Sequence, residues 1–146
     1  MVRHDHQGNV RLIAVLAALT LSYPAGAAPT LSQPLTDQPG DLARGKAVAV
    51  NSDMGNCIIC HHIPIPEVPA GAFGDIGPDL AGVGSRLSEP ELRQRVVDPK
   101  QIDARTVMPA YFVKDGLTRV QPQYVGKTIL TAKQVEDLVA YLMTLK

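Results

Sequence analysis

Cysteine occurs only twice in this chain, at Cys57 and Cys60, and histidine follows at once, so that Cys57-Ile58-Ile59-Cys60-His61 reads C-x-x-C-H. This is the attachment pattern of a c-type haem. The spacing has a mechanical reason: two thiols about one helical turn apart each add to a porphyrin vinyl group, while the next residue is carried beneath the iron. Tethering also makes axial ligation intramolecular, and the high effective concentration lets even a weak thioether hold the opposite face. Composition agrees, because aromatic residues make up only 4% and Trp is absent, leaving few of the large rings that usually dominate a core. A bound group that fills the interior would account for that.

Three other readings of the cysteines are weaker. A thiol–disulfide redox pair wants a βαβ pattern nearby, and none is visible. Zinc bound through Cys57, Cys60 and two histidines fails on spacing, since adjacent His61 and His62 lack the separation that lets two rings converge. A structural disulfide across so short a loop stabilises little and gives no role to the neighbouring histidine.

His61 is therefore the expected proximal ligand, and the other face calls for a second one; Met serves there in haems of moderately high potential. Of four methionines, Met1 falls in the expected leader, and Met54 precedes Cys57 too closely to reach around the haem. Met143 sits on the helical pattern of the C-terminus and reads as core filler. Met108, 47 residues after His61 and stiffened by Pro109, is the expected distal ligand; a buried gap-filler is the alternative. His62 adjoins the proximal ligand and reads as a surface or propionate-side residue. Haem imidazoles usually donate their second N–H to a carbonyl or carboxylate, and Pro78 is the expected acceptor; the other reading is a proline that only stiffens the loop. Arg86, Arg93, Arg95, Lys100 and Arg105 would steer an acidic partner, meet a propionate, or simply form a solvated helix face.

The first 27 residues read as a signal peptide: Arg3 and Arg11 lead into the apolar run Leu12 to Leu21, and Ala25-Gly26-Ala27 offers an A-x-A cleavage site. Ten apolar residues are too few for a membrane span, which takes about 20. Export to the periplasm is expected, with no membrane span in the mature protein. Without the leader, 119 residues remain with twelve basic and thirteen acidic groups, a balance that argues against nucleic acid as a partner. Residues 28–40, with three prolines and no periodic pattern, read as a flexible lead-in.

A domain over 41–146 follows. Asp41 caps a helix ending near Val50, in which Gly45 asks for a close packing partner. Four prolines and five glycines between His62 and Gly84 predict loop. Ser88 with Glu91 makes a capping box for a helix that stops before Asp98-Pro99, and Thr131 with Gln134 makes another for the final helix. The segment 98–130 reads as irregular, either ligand-binding or disordered. No strand-like alternation appears, so the chain is expected to be all-α, with three or four helices and long loops.

These features, in this order, resemble class I cytochromes c over the whole chain after the leader. More narrowly, Gly77 to Leu87, Thr106-Val107-Met108-Pro109, Gly126-Lys127 and Glu136 to Leu142 resemble the SoxX family, monohaem subunits of the SoxAX cytochromes of bacterial sulfur oxidation. The resemblance implies the class I cytochrome c fold, with its first and last helices crossing at Gly45; Ala49 departs from the aromatic often found there. It also implies a SoxA-like partner in a heterodimer that couples thiosulfate to a cysteine of the SoxYZ carrier. Substrate chemistry in that family lies on SoxA, so no catalytic residue is expected here and the chain would pass electrons to a downstream acceptor. A free-standing shuttle to a terminal oxidase is the alternative.

Overall fold

The computed structural model describes residues 31–146; the expected leader and the first three residues of the lead-in lie outside the described residues. Helix α1 spans Leu42–Val50, α2 Val83–Arg86, α3 Glu89–Val97 and α4 Ala132–Thr144, and no strand occurs among the described residues. The all-α expectation holds.

Each long helix starts where its cap dictates. The Asp41 carboxylate accepts the Arg44 amide at 2.8 Å and so satisfies a donor that α1 itself leaves free. Ser88 and Glu91 close the box on α3, with the Ser88 amide donating to Glu91 Oε2 at 2.8 Å. Thr131 and Gln134 do the same for α4. Such a cap is worth about 1 kcal/mol, enough to set a helix boundary but not a fold.

Packing supplies the rest. Helix α1 crosses α4, and α3 and α2 also lie on α4, which is the hub of the core. Val48 and Ala49 of α1 meet Val135, Leu138, Val139 and Leu142 of α4, all buried, with Leu92 and Val96 of α3 in the same cluster. Burying each such side chain contributes roughly 1.5–3 kcal/mol. At the crossing a Cβ on Gly45 would stand 2.0 Å from the Asp137 carbonyl oxygen and 2.7 Å from Tyr141 Cβ, so only glycine fits. Ala49 is fully buried, and its methyl is the side chain this crossing accommodates.

The structure departs from the sequence reading in three places. Helix α2 rises at the end of a stretch expected to be loop. Gly82 at φ 69° turns the chain into it, and the Gly84 amide donates to the Leu145 carbonyl at 2.9 Å, seating α2 on the end of α4. The segment 98–130 is not wholly irregular, since single 3₁₀ turns form at Pro99–Gln101 and Pro122–Tyr124.

The third concerns the lead-in and Arg93. Arg93, read within a run expected at the surface, is only 1% exposed and forms a two-point pair with Glu136, at 2.8 and 2.9 Å, while also meeting Glu89. The expected flexible lead-in is tied to that pair over its described part. The Leu31 carbonyl accepts from Arg93 Nη1 at 2.9 Å and the Leu35 amide donates to Glu136 Oε1 at 2.9 Å. A buried ion pair is stable only when its remaining donors and acceptors are met, and backbone from the lead-in meets them.

Candidate functional site

Between α3, the end of α4 and the loops lies a cavity of about 520 Å³ whose lining surface is mostly apolar. Cys57, Cys60, His61, Pro78 and Met108 all line it, so the structure brings every residue singled out for the site to one place.

Local geometry arranges the first three. Asn56 turns the chain in the left-handed region at φ 46°, and Cys57–Ile59 then form one 3₁₀ turn. The His61 amide donates to the Cys57 carbonyl at 2.9 Å, which closes the five-residue motif on itself. Gly55 must be small here, since an added Cβ would meet the Val48 carbonyl oxygen at 2.8 Å.

The imidazole of His61 is fixed from behind. Its Nδ1 lies 2.6 Å from the Pro78 carbonyl oxygen. A carbonyl only accepts, so Nδ1 carries the proton, and in the neutral ring Nε2 is the nitrogen that keeps its lone pair. The ring lies against Gly77, where an added Cβ would stand 2.3 Å from His61 Cε1. Two backbone rungs hold the loop in register with the motif: Gly77 N to Cys60 O at 2.7 Å and Leu80 N to His62 O at 3.0 Å. His62 points elsewhere, its Nδ1 2.9 Å from Asp79 Oδ1 and its ring edge-on to Phe73.

Met108 arrives on a loop stitched down at both ends. The Tyr111 and Phe112 amides donate to the Val96 and Val97 carbonyls at 3.1 and 3.2 Å, and the Leu130 amide donates to the Tyr111 carbonyl at 2.9 Å. Thr106 Oγ1 accepts the Met108 amide at 3.2 Å. Met54 instead packs by α4, its sulfur 3.5 Å from Gln134 Nε2, and Met143 lies against the core.

Sequence reasoning missed Tyr111. Its phenol lines the cavity and donates to the Gly55 carbonyl at 2.9 Å, joining the Met108 loop to the cysteine motif. Burial pushes that phenol well above the ordinary tyrosine range, so it stays a donor. No local pattern pointed to it, because its partner lies 56 residues upstream.

The donor set suits a haem. A cavity of this size and apolarity is in the range of small-molecule and cofactor sites, about 300–1,000 Å³. Two thiols, an imidazole with its lone pair free and a thioether line it, and among the described residues no cluster of His, Cys, Asp and Glu offers a conventional metal cage. Burial pushes the Cys57 thiol up to about 11, the opposite of the lowered value that a thiolate nucleophile needs. That speaks against thiol–disulfide exchange.

An all-α chain whose C-x-x-C-H turn and methionine loop open on one apolar chamber has the construction of a c-type cytochrome. The Cytochrome c family model matches residues 42–146, and the chain belongs to that family, which carries one covalently bound haem c. Among solved structures, a chain of the crystal structure of SoxXA from P. pantotrophus is similar, with 37% identity and a TM-score of 0.72 over 80% of this chain and 90% of that one. No curated protein matches. The similarity is consistent with an electron-transfer protein of the SoxX type.

Proposed function

We propose that this chain is the electron-accepting, SoxX-like subunit of a SoxAX-type L-cysteine S-thiosulfotransferase acting in thiosulfate oxidation. The observation that carries the reading is that Cys57, Cys60, His61 and Met108 line one apolar cavity, with His61 Nδ1 committed to the Pro78 carbonyl. The likeness to the SoxXA structure supports a SoxA-like partner; in this reading SoxYZ is the carrier reached through the complex, and a separate acceptor takes the electrons onward.

Cys57 and Cys60 would hold haem c through thioethers, and His61 Nε2 and Met108 Sδ would be its axial ligands. The haem supplies a one-electron couple. Every other contribution comes from the chain. Pro78 fixes the tautomer and orientation of His61 and raises its basicity as a ligand. The apolar lining excludes water, which limits the solvent rearrangement that accompanies a change of charge. With His61 and Met108 both given to the haem, no ligand position would be left for substrate, so the chain would transfer electrons and would not turn over thiosulfate alone.

Residues 1–27 act in this reading as a cleaved signal peptide, giving a periplasmic protein; no helix among the described residues is long and apolar enough to cross a membrane. The test is isolation of the holoprotein from cells that mature c-type cytochromes. The expected product begins at Ala28, weighs one haem more than its polypeptide, is inert towards thiosulfate on its own, and brings down a second cytochrome chain. A lone haem protein with no partner favours a shuttle instead, and a colourless chain of bare polypeptide mass defeats the reading.

A further inference from the structure

Met108 reaches the chamber on a loop anchored to its own side of the molecule. The Tyr111 and Phe112 amides bond to the Val96 and Val97 carbonyls of α3, and Lys100 Nζ donates to the Thr106 carbonyl at 2.9 Å. The turn from Cys57 to His61 is anchored separately. There the Gly55 amide donates to the Val48 carbonyl of α1 and the Asn56 amide to the Asn51 carbonyl, each at 3.1 Å. Among the described residues a single hydrogen bond joins the segment 98–130 to the segment 51–62, and it is the one from the Tyr111 phenol to the Gly55 carbonyl.

That bond is placed where it has leverage. Tyr111 is only 8% exposed, its ring lies in the core cluster and Gly55 is buried, so solvent competes little for either partner. The carbonyl it holds belongs to the peptide that enters Asn56, the left-handed residue from which the cysteine turn starts. At the other end Tyr111 stands three residues after Met108 and lines the same chamber. A thioether is a weak ligand, and its hold on a metal depends on how closely the chain keeps it in place. Two walls of a chamber keep a fixed separation only when the elements that carry them are tied to each other.

We infer that Tyr111 is a positioning residue for Met108: its bond to Gly55 holds the methionine loop at the separation from the Cys57–His61 turn at which the sulfur stays on the iron. This rests on the haem reading above. An external ligand that displaces Met108 must part the loop from the turn, and so works against this bond.

The test uses the ferric holoprotein as wild type, Tyr111→Phe and Thr131→Ala. Tyr111→Phe keeps the apolar ring and removes only the donor, whereas Thr131→Ala removes the cap of α4, away from the chamber. Imidazole titration followed in the visible spectrum reads displacement of the sulfur, and denaturant unfolding reads global stability. Tyr111→Phe should bind imidazole about tenfold more tightly than wild type, the scale of one buried hydrogen bond. Thr131→Ala should stay within about twofold of wild type although it unfolds more easily. Tyr111→Phe within about twofold of wild type, or an equal rise in both variants, overturns the inference. If Tyr111→Phe does not mature, the wild type carries the test through reciprocity. Saturating imidazole should speed hydrogen exchange at the Asn56 amide, which shares a peptide with the Gly55 carbonyl, by about threefold or more, and unchanged exchange overturns the inference equally. Wild-type protein without the mass of a haem defeats the haem reading and this inference together, a result distinct from the others.

Discussion

Gly45 lies so close to Asp137 that a Cβ added to it would stand 2.0 Å from the Asp137 carbonyl oxygen. The α1–α4 crossing is therefore a backbone-to-backbone contact, and neighbouring side chains have no freedom to absorb an extra methyl. Gly45→Ala should cost about 3 kcal/mol and lower Tm by roughly 10 °C or more. Gly71→Ala, where an added Cβ meets nothing within 4 Å, should stay within about 1 kcal/mol of wild type. Thermal melts of the two variants side by side check the contrast.

Asp137, in the same crossing, links stability to pH. Burial pushes its carboxyl up, but bonds from Arg44, Lys133 and the Asp41 amide outweigh this and hold it at about 2. The folded state thus binds the proton more weakly than the unfolded chain, whose aspartates titrate near 3.9. The stabilisation is whole above pH ~4 and is lost as pH falls towards ~2, about 2 kcal/mol in all. Asp137→Asn should lose that amount at neutral pH, and denaturant curves between pH 4 and pH 2 should show a shallower decline than wild type.

The Arg93–Glu136 pair carries the strap of residues 31–40. Arg93→Met alone leaves Glu136 buried without its partner and should cost about 3–5 kcal/mol. It should also speed hydrogen exchange at the Leu35 amide, whose acceptor is Glu136 Oε1. The double change Arg93→Met with Glu136→Leu should recover much of the stability but not the protection of Leu35. Exchange measured alongside denaturation separates the two effects.

Gly77→Ala would put a methyl 2.3 Å from His61 Cε1 and force the ring off the Pro78 carbonyl. An imidazole that loses this acceptor is a weaker base and stabilises ferric iron less, so the potential should rise. A shift of the redox equilibrium of about tenfold is expected, the scale of losing a ligand's outer hydrogen bond. Redox titration with visible spectra decides; an unchanged potential would mean that the bond to Pro78 does not tune the site.

Met108→Ala should open one axial position. Added imidazole or cyanide should then bind, and the potential should fall as the thioether that favours ferrous iron is removed. A variant whose spectrum stays six-coordinate and identical to wild type would show that another residue is the ligand.

Much of this was legible along the chain because it is written in local chemistry. The caps Asp41, Ser88 and Thr131 and the apolar stripe Val135, Leu138, Val139 and Leu142 lie within a few residues of what they specify. The C-x-x-C-H motif is likewise contained in five residues, and Pro78 and Met108 could be picked out by residue type. Tyr111, the burial of Arg93 and the turn of α2 could not, since their partners Gly55, Glu136 and Leu145 stand far away in sequence.

Short-range covalent spacing and capping thus specified where α1, α3 and α4 begin and that this chain is built to carry haem. Which of five neighbouring cations is buried, which is solvated and which line the chamber emerged from the packing of the helices, for a physical reason. Desolvation depends on what surrounds a guanidinium in space, and Arg93 and Arg95, two residues apart, point to surroundings that no linear pattern distinguishes.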